Sequence, residues 1–464
     1  MLPNNSPWIA QLARTRPAVP LEEDLLADVV IVGGGIAGIM TAYFVLRDTN
    51  RAVLLVEGDK VAHGATGHNA GQLVSYFERS FKSLVDDFGL SLASEGAGAV
   101  EHSWTLLDAV VQEAKLTTPI HRFMGYAGVC LEEQLIEHLE NNRLRVLGGL
   151  IPKRIVVARE WSGLGTIPSL YEGLYEVAEH TEILCVLETT TQKYIALIAE
   201  DKGCANSALI AEETLGYLLA TYPKRFRLHE ETLVSHVRLH EGRGTLIANG
   251  HAISATQVVL ATNGFENFTI TNDDGPDIDT EFHHEVQGLV GYMAGYIEEG
   301  TAAPTAISYY GKTEEKRSDD PMGDDYFYLT RRPFEYEGAT AENLICVGGP
   351  DKELPELKAY RRSDGCNEQY QDEITEFLDS DYKRYEGRET PYKFCWHGLM
   401  GYTKSRVRLV GCEPLNTVLL YNLGCNGVGL LPSIMGAERI ARIVNGEQLA
   451  PSIFDPLHHK GHSA

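Results

Sequence analysis

The apolar positions near the start of the chain fall in short unbroken runs. Asp28–Val32 reads DVVIV and Ala52–Glu57 reads AVLLVE. That is the pattern of strands buried on both faces of a parallel sheet. Between them, a glycine-rich turn (VGGGIAG, Val32–Gly38) leads into a helix-like apolar stretch from Ile36 to Leu46. Together these predict a βαβ unit. Two later runs repeat the motif of a buried strand entering a polar turn: QVVLATNG (Gln257–Gly264) and TVLLYNLGCNGVG (Thr417–Gly429). The second opens a helix, LPSIMGAERIARIVNGE, with Pro432 near its start and Gly446 at its end, where proline and glycine favour helix termini.

One nucleotide-binding domain is therefore expected from three separated pieces, residues 27–84, 205–281 and 395–456. A second, substrate domain with helical insertions is expected from 85–204 and 282–394. The latter stretch carries alternating segments such as YFYLT (Tyr326–Thr330) and NLICVGG (Asn343–Gly349), the signature of half-buried strands. Residues 1–26, with Pro3, Pro7, Pro17 and Pro20, read as an irregular lead-in, and 457–464 as a tail. Two acidic stretches, Asn272–Glu281 and Glu314–Asp325, read as solvated loops.

Length and charge narrow the picture. At 464 residues the chain exceeds one ordinary core. Its formal charge of −25 disfavours nucleic acid and anionic membranes as partners and favours cations weakly. No apolar run approaches the ~20 residues of a membrane span. The N-terminus lacks the apolar core of a signal peptide, so a cytoplasmic location is expected. The eight cysteines include no CxxC pair, which points to reduced thiols and to no metal site.

The first turn fits GxGxxG through Gly33, Gly35 and Gly38. The first glycine permits the tight turn, the second lets backbone approach a pyrophosphate, and the third lets the helix pack on the sheet. The amides of Ile36 and Ala37 open the helix, where its positive end favours phosphate. Glu57 follows Gly35 by 22 positions, the place of an acid that binds ribose hydroxyls. No second copy of the fingerprint occurs.

Later segments resemble a known family. HEETLVSHVRL (His229–Leu239) followed by VVLATNG resembles the strand pair that closes around adenine in large flavoproteins. With GATGHNAGQ (Gly64–Gln72), LICVGGPD and WHGLMGYTKSRVRLVG (Trp396–Gly411), the chain resembles the FAD-dependent oxidoreductases of the D-amino-acid oxidase, glycine oxidase and sarcosine oxidase type. The likeness is strongest to the branch containing gamma-glutamylputrescine oxidoreductase. It implies an α/β fold: a Rossmann-like FAD-binding domain interleaved with an α+β substrate domain carrying a mixed sheet. It implies hydride removal from a C–N bond of a small amine or amino acid, with oxygen or another acceptor taking the electrons. For the cofactor it implies contacts from Gly64, Ala65, Thr66, His68, Asn69, Ala70, Gly71 and Gln72. It adds Val234 on the adenine side and Ala261, Thr262, Asn263 and Gly264 near the pyrophosphate. The last turn, with Gly424, Asn426, Gly427, Val428 and Gly429, would aim a helix N-terminus at the pyrimidine edge of the flavin, where reduction places negative charge.

His68 stands where some relatives have arginine and others a histidine bonded to the flavin. Both a covalent attachment and a hydrogen bond are open for it. The arginine that grips a substrate carboxylate in amino-acid-oxidising relatives is replaced by Met400. His397, Tyr402, Arg331 and Arg332 are the remaining candidates for substrate contact. Two other readings compete: a flavin-linked dehydrogenase of a 2-hydroxy acid, and an FAD-binding subunit with a degenerate catalytic surface.

Overall fold

A computed structural model describes residues 3–14, 16–300, 302–311, 326–353, 360–382 and 392–456. The acidic stretch Glu314–Asp325 and the tail 457–464 lie outside them.

Two sheets organise the chain. In the first, the predicted runs form a parallel core. Leu25–Val32 pairs with Val53–Val56 on one side and with His251–Leu260 on the other. Phe226–His229 and Leu419–Leu423 extend the parallel array outward. All four residues of Val53–Val56 are buried, as a strand covered on both faces requires: Val53 and Leu55 share a core with the helices, and Leu54 and Val56 share one with the antiparallel strands Val234–His240 and Arg243–Ala248. The helices Ile36–Asp48, Leu430–Val444 and Ser207–Thr221 share a core with this sheet. The predicted helix after Pro432 is present as Leu430–Val444, and Gly446 follows it with φ +85°.

The second sheet is mixed and ten-stranded, running from Phe394–Thr403 at one edge through Val286–Glu299, Ala339–Glu353 and Tyr326–Tyr336 to Glu176–Ala178 at the other. The α/β architecture with two sheets is thus the expected one. The partition along the chain differs in three places. The sequence groups residues 395–403 with the nucleotide elements, but the strand they form, Phe394–Thr403, is bonded antiparallel to Val286–Glu299. Its exposed backbone groups are satisfied by the neighbouring strand of the second sheet, which no local pattern reveals. Gln72–Val74 joins that sheet too. Conversely, the helix Leu90–Ala114 sends Ala93, Ala97, Val100 and Leu107 into the core of the nucleotide unit.

The lead-in is more ordered than its prolines suggest. Ser6 caps a short helix, Pro7–Ala10, and the fully buried Trp8 donates its indole N–H to the Asn69 carbonyl at 2.5 Å. Arg14 and Arg16 both pair with the buried Glu230. A carboxylate taken out of water needs such partners, and they hold the lead-in down. Of the stretch Asn272–Glu281, residues 273–277 are exposed, Asn272 and Asp279 are half-buried and Ile278 is buried, and its last residues begin the helix Asp279–Glu285.

Candidate active site

A cavity of about 750 Å³ lies between the two sheets. It is within the range of sites for cofactor-sized ligands. The glycine turn forms one end. The Gly33 N–H donates to the Val56 carbonyl, ending the first strand, and the helix begins at Ile36 with Gly35 as an N-cap that offers no side chain. The Ile36 N–H donates to Thr66 Oγ at 2.9 Å, so the GATG segment is tied to the helix start. Glu57 accepts from the Gly34 N–H at 2.6 Å and the Asp59 N–H at 2.9 Å. Burial pushes its carboxyl above the usual range, so its charge is one that a hydroxyl donor would relieve.

Most of the expected cofactor residues line this cavity: Gly33, Gly35, Ile36, Ala37, Glu57, Gly64, Ala65, Thr66, His68, Asn69, Ala70, Gln72, Val234, Ala261, Thr262, Asn263, Gly427, Val428 and Gly429. The remaining five shape its walls. A Cβ on Gly38 would lie 1.8 Å from the Gly33 carbonyl oxygen. Gly71 packs against Trp8, Gly264 against the backbone at Met400, and Gly424 against Thr403. Asn426 accepts from the Thr403 N–H at 2.8 Å.

The residues present fit FAD. Thr262 Oγ1 and Gln72 Nε2 are buried, line the cavity and have no hydrogen-bond partner among the described residues. Orphaned polar atoms are rare in folded proteins and mark where a ligand or water binds. Asn263 gathers the other walls: its Oδ1 accepts from the N–H groups of Cys425 (3.0 Å) and Gly401 (3.3 Å), and its Nδ2 donates to the Leu399 carbonyl.

His68 contacts the Gly64 carbonyl through Nδ1 at 3.0 Å. A carbonyl only accepts, so the proton sits on Nδ1 and the lone pair on Nε2. Burial pulls the imidazole pKa down to about 4, and the ring is neutral at ordinary pH.

The substrate candidates separate. On the strand Phe394–Thr403, Gly398, Met400 and Tyr402 line the cavity. Side chains alternate along a strand, so His397 faces away. It contacts the Asp364 carbonyl through Nε2, and its backbone N–H donates to Asn4. Arg331 makes a two-pronged pair with Glu188, at 2.7 and 2.8 Å, away from the cavity. Arg332 lies 5.2 Å over the Trp8 ring and is likewise outside the cavity lining. Of the four, Tyr402 alone reaches the cavity.

Several lining residues had no sequence signal. Arg362 pairs with Asp59 and donates to the His63 carbonyl. Arg408 is buried, and it donates to Asn422 Oδ1 at 2.8 Å and the Asn422 carbonyl at 2.9 Å. Burial draws its pKa down to about 10. Asn422 in turn donates to Thr41 and to the Ser433 carbonyl, on the two helices flanking the glycine turns. The Arg408 charge therefore belongs to the nucleotide side of the cavity. Glu78, Tyr76, Tyr326 and Tyr328 close the opposite side.

Comparison with known proteins agrees with this architecture. Residues 28–443 match the family described as FAD dependent oxidoreductase. Among curated proteins, gamma-glutamylputrescine oxidoreductase of Escherichia coli (strain K12) is 30% identical over 89 residues, 19% of this chain and 21% of that protein. The match spans about a fifth of the length of the curated relatives. Among solved structures, glycine oxidase from Geobacillus kaustophilus superposes with a TM-score of 0.65 at 16% identity, covering 93% of this chain and 98% of that one. L-proline dehydrogenase from P. horikoshii gives 0.66 at 14% identity, covering 94% and 98%. At these identities the likeness is one of fold.

Proposed function

The chain belongs to the family of FAD dependent oxidoreductases, and we propose that it removes a hydride from the C–N bond of a small amine, leaving an imine that water hydrolyses. FAD, when bound, supplies the two-electron acceptor. The chain's own residues position it. The glycine turn and the Ile36 and Ala37 amides receive the pyrophosphate, Glu57 receives ribose hydroxyls, and the Gly427–Gly429 turn presents a helix start to the developing charge.

The observation that carries the choice of an amine is Met400. It lines the cavity where amino-acid-oxidising relatives place a cation, while Arg331 is paired with Glu188 and neither Arg331 nor Arg332 belongs to the cavity lining. A buried α-carboxylate without a cationic partner costs several kcal/mol. Of the four lysines and arginines among the described residues that line the cavity, Arg408 is held by Asn422 and Arg362 by Asp59, while Lys404 and Arg406 stand on the turn beyond Thr403, not on the strand position that Met400 occupies. An amine oxidised at a carbon bearing no carboxylate needs no such partner.

The test is anaerobic bleaching of the flavin by a panel of amines, α-amino acids and 2-hydroxy acids. Primary or secondary amines should bleach fastest. Faster reduction by glycine, sarcosine or D-alanine would overturn the amine assignment, reduction by hydroxy acids alone would make the protein a C–O dehydrogenase, and no bleaching by any compound would favour a degenerate subunit. Oxygen or another acceptor reoxidises the flavin in this reading. Among the described residues no helix is long and apolar enough to cross a membrane.

The neutral His68 ring with its Nε2 lone pair supports attachment of the flavin there, since an unprotonated imidazole nitrogen is a competent nucleophile. Acid precipitation should then leave yellow colour in the pellet, and His68→Ala should release it to the supernatant. Free FAD in the wild-type supernatant would reduce His68 to a hydrogen-bonding residue.

A further inference from the structure

Glu78 is a carboxylate at the inner end of the cavity, and its surroundings are unusual for one. A carboxylate offers about four acceptor positions. Among the described residues Glu78 has one hydrogen-bond donor, the Tyr326 hydroxyl, at 3.0 and 3.2 Å from its two oxygens. No lysine or arginine of the described residues pairs with it. Its Cγ would be 2.5 Å from a Cβ placed on Gly427, so it is packed directly against the last glycine turn, itself a cavity wall.

Aromatic rings surround this carboxylate. Tyr76, Tyr326, Tyr328 and Tyr402 line the same cavity, and the Tyr326 and Tyr328 rings lie 5.7 Å apart. All four hydroxyls are pushed up by burial first and by the Glu78 charge next, so they stay protonated and their rings stay neutral. Neutral ring faces beside a carboxylate are the chemistry of an ammonium site. The Tyr76 ring already holds one ammonium, that of Lys202, at 5.6 Å. Lys202 and Arg406 favour the ionised form of Glu78, and Glu200 opposes it.

Resting on the amine reading above, we propose that Glu78 receives the substrate as its ammonium ion and takes the proton that must leave before the C–N bond can be oxidised. In that step an N–H bond of the ammonium breaks and an O–H bond forms on Glu78, with no change of oxidation state. The freed lone pair is what loss of hydride from the adjacent carbon requires, and bound FAD would supply the acceptor for that hydride. Glu78 also lines a side chamber of about 100 Å³, whose wall includes Glu200, Lys202 and His138. Among the described residues Glu200 Oε2 and His138 Nε2 have no hydrogen-bond partner, although the Lys153 ammonium stands 3.9 Å from that Glu200 oxygen. A proton arriving on Glu78 thus meets further titratable groups rather than hydrocarbon.

The sign of the pH effect follows. Burial raises the Glu78 pKa, and only the ionised form both attracts the ammonium and accepts its proton. Reduction should weaken as pH falls through that raised value.

The test uses the purified flavoprotein, with tetramethylammonium as a redox-inert cation and with whichever amine bleaches the wild type fastest. In Glu78→Gln the dissociation constant for tetramethylammonium, read from the flavin spectrum, should rise about tenfold or more, as expected when one partner of an enclosed charge pair is lost. The apparent KM for the amine should rise with it, and the acidic limb of the kcat/KM profile should vanish. Glu78→Asp should keep the limb. Tyr326→Phe removes the single donor and should shift the limb to higher pH, which tests the proposal even if Glu78→Gln fails to fold. Unchanged cation binding together with an unmoved limb, in Glu78→Gln or in Tyr326→Phe alone, overturns the proposal. A wild type that no amine bleaches overturns the amine reading instead, while the tetramethylammonium measurement still decides whether Glu78 holds a cation.

Discussion

Gly35→Val should give folded protein without yellow colour, whereas Gly38→Ala should give little folded protein at all. The two glycines lie three residues apart and fail for different reasons. At Gly38 a Cβ would sit 1.8 Å from the Gly33 carbonyl oxygen and 3.0 Å from its carbon. Both are backbone atoms of the turn, which cannot rotate away. Gly33 itself holds φ +110° against the Ala261 carbonyl, so the turn cannot yield in that direction either. Even one methyl group therefore separates the helix from the sheet. At Gly35 the backbone is ordinary, φ −76° and ψ −177°, so a side chain costs no backbone strain there. Its Cβ meets only Thr66 Oγ1, at 2.9 Å, and the residue lines the cavity. A valine would fill the space into which a pyrophosphate must come and disturb the bond between Ile36 and Thr66. The ratio of absorbance at flavin wavelengths to that at 280 nm, read with far-UV circular dichroism, separates the two failures. Normal flavin content in Gly35→Val would remove the glycine turn from the cofactor site.

The parts of this molecule that its sequence reveals are those whose causes are local. A strand buried on both faces must be apolar throughout, so Val53–Val56 announces itself. The glycine spacing follows from contacts within one turn and is legible for the same reason. The substrate side depends instead on register between distant segments. Whether His397 or Gly398 faces the cavity is decided by pairing with Val286–Glu299, about a hundred residues away. A period of two places one of each pair correctly, but the sequence does not say which. Glu78 belongs to no run or spacing at all. It follows the short strand Gln72–Val74, which the second sheet captures through Ala196–Cys204, and so it arrives at the cavity by tertiary pairing. Trp8 was hidden because prolines around it suggest an irregular segment, while its burial under Asn69 depends on a loop sixty residues on.

Glu188→Ala should lower stability by about 3–5 kcal/mol, the usual cost of stranding one partner of a buried ion pair, and leave substrate selectivity as it was. Arg331 is 4% exposed, and its guanidinium gives two parallel bonds to Glu188, one to the Tyr382 hydroxyl at 3.2 Å and one to the Ala303 carbonyl at 3.0 Å. Tyr382 also donates to Glu188 at 3.0 Å. Removing the carboxylate leaves a buried cation with hydroxyl and carbonyl partners only. Removing the arginine is milder, because the Glu188 side chain retains 21% of its exposure and water can reach it. The order of stability should therefore be wild type, then Arg331→Met, then Glu188→Ala, with the double variant Arg331→Met/Glu188→Leu above Glu188→Ala. That last inequality separates a stranded charge from a mere loss of contacts, since the double variant loses more contacts but strands no charge. Thermal unfolding of the flavoprotein gives the order. Flavin bleaching by the preferred amine, measured on the folded fraction, should keep its KM in all three. An Arg331→Met protein that melts like the wild type but no longer reduces its flavin would place the guanidinium on the substrate, against its pairing across the sheet from the cavity.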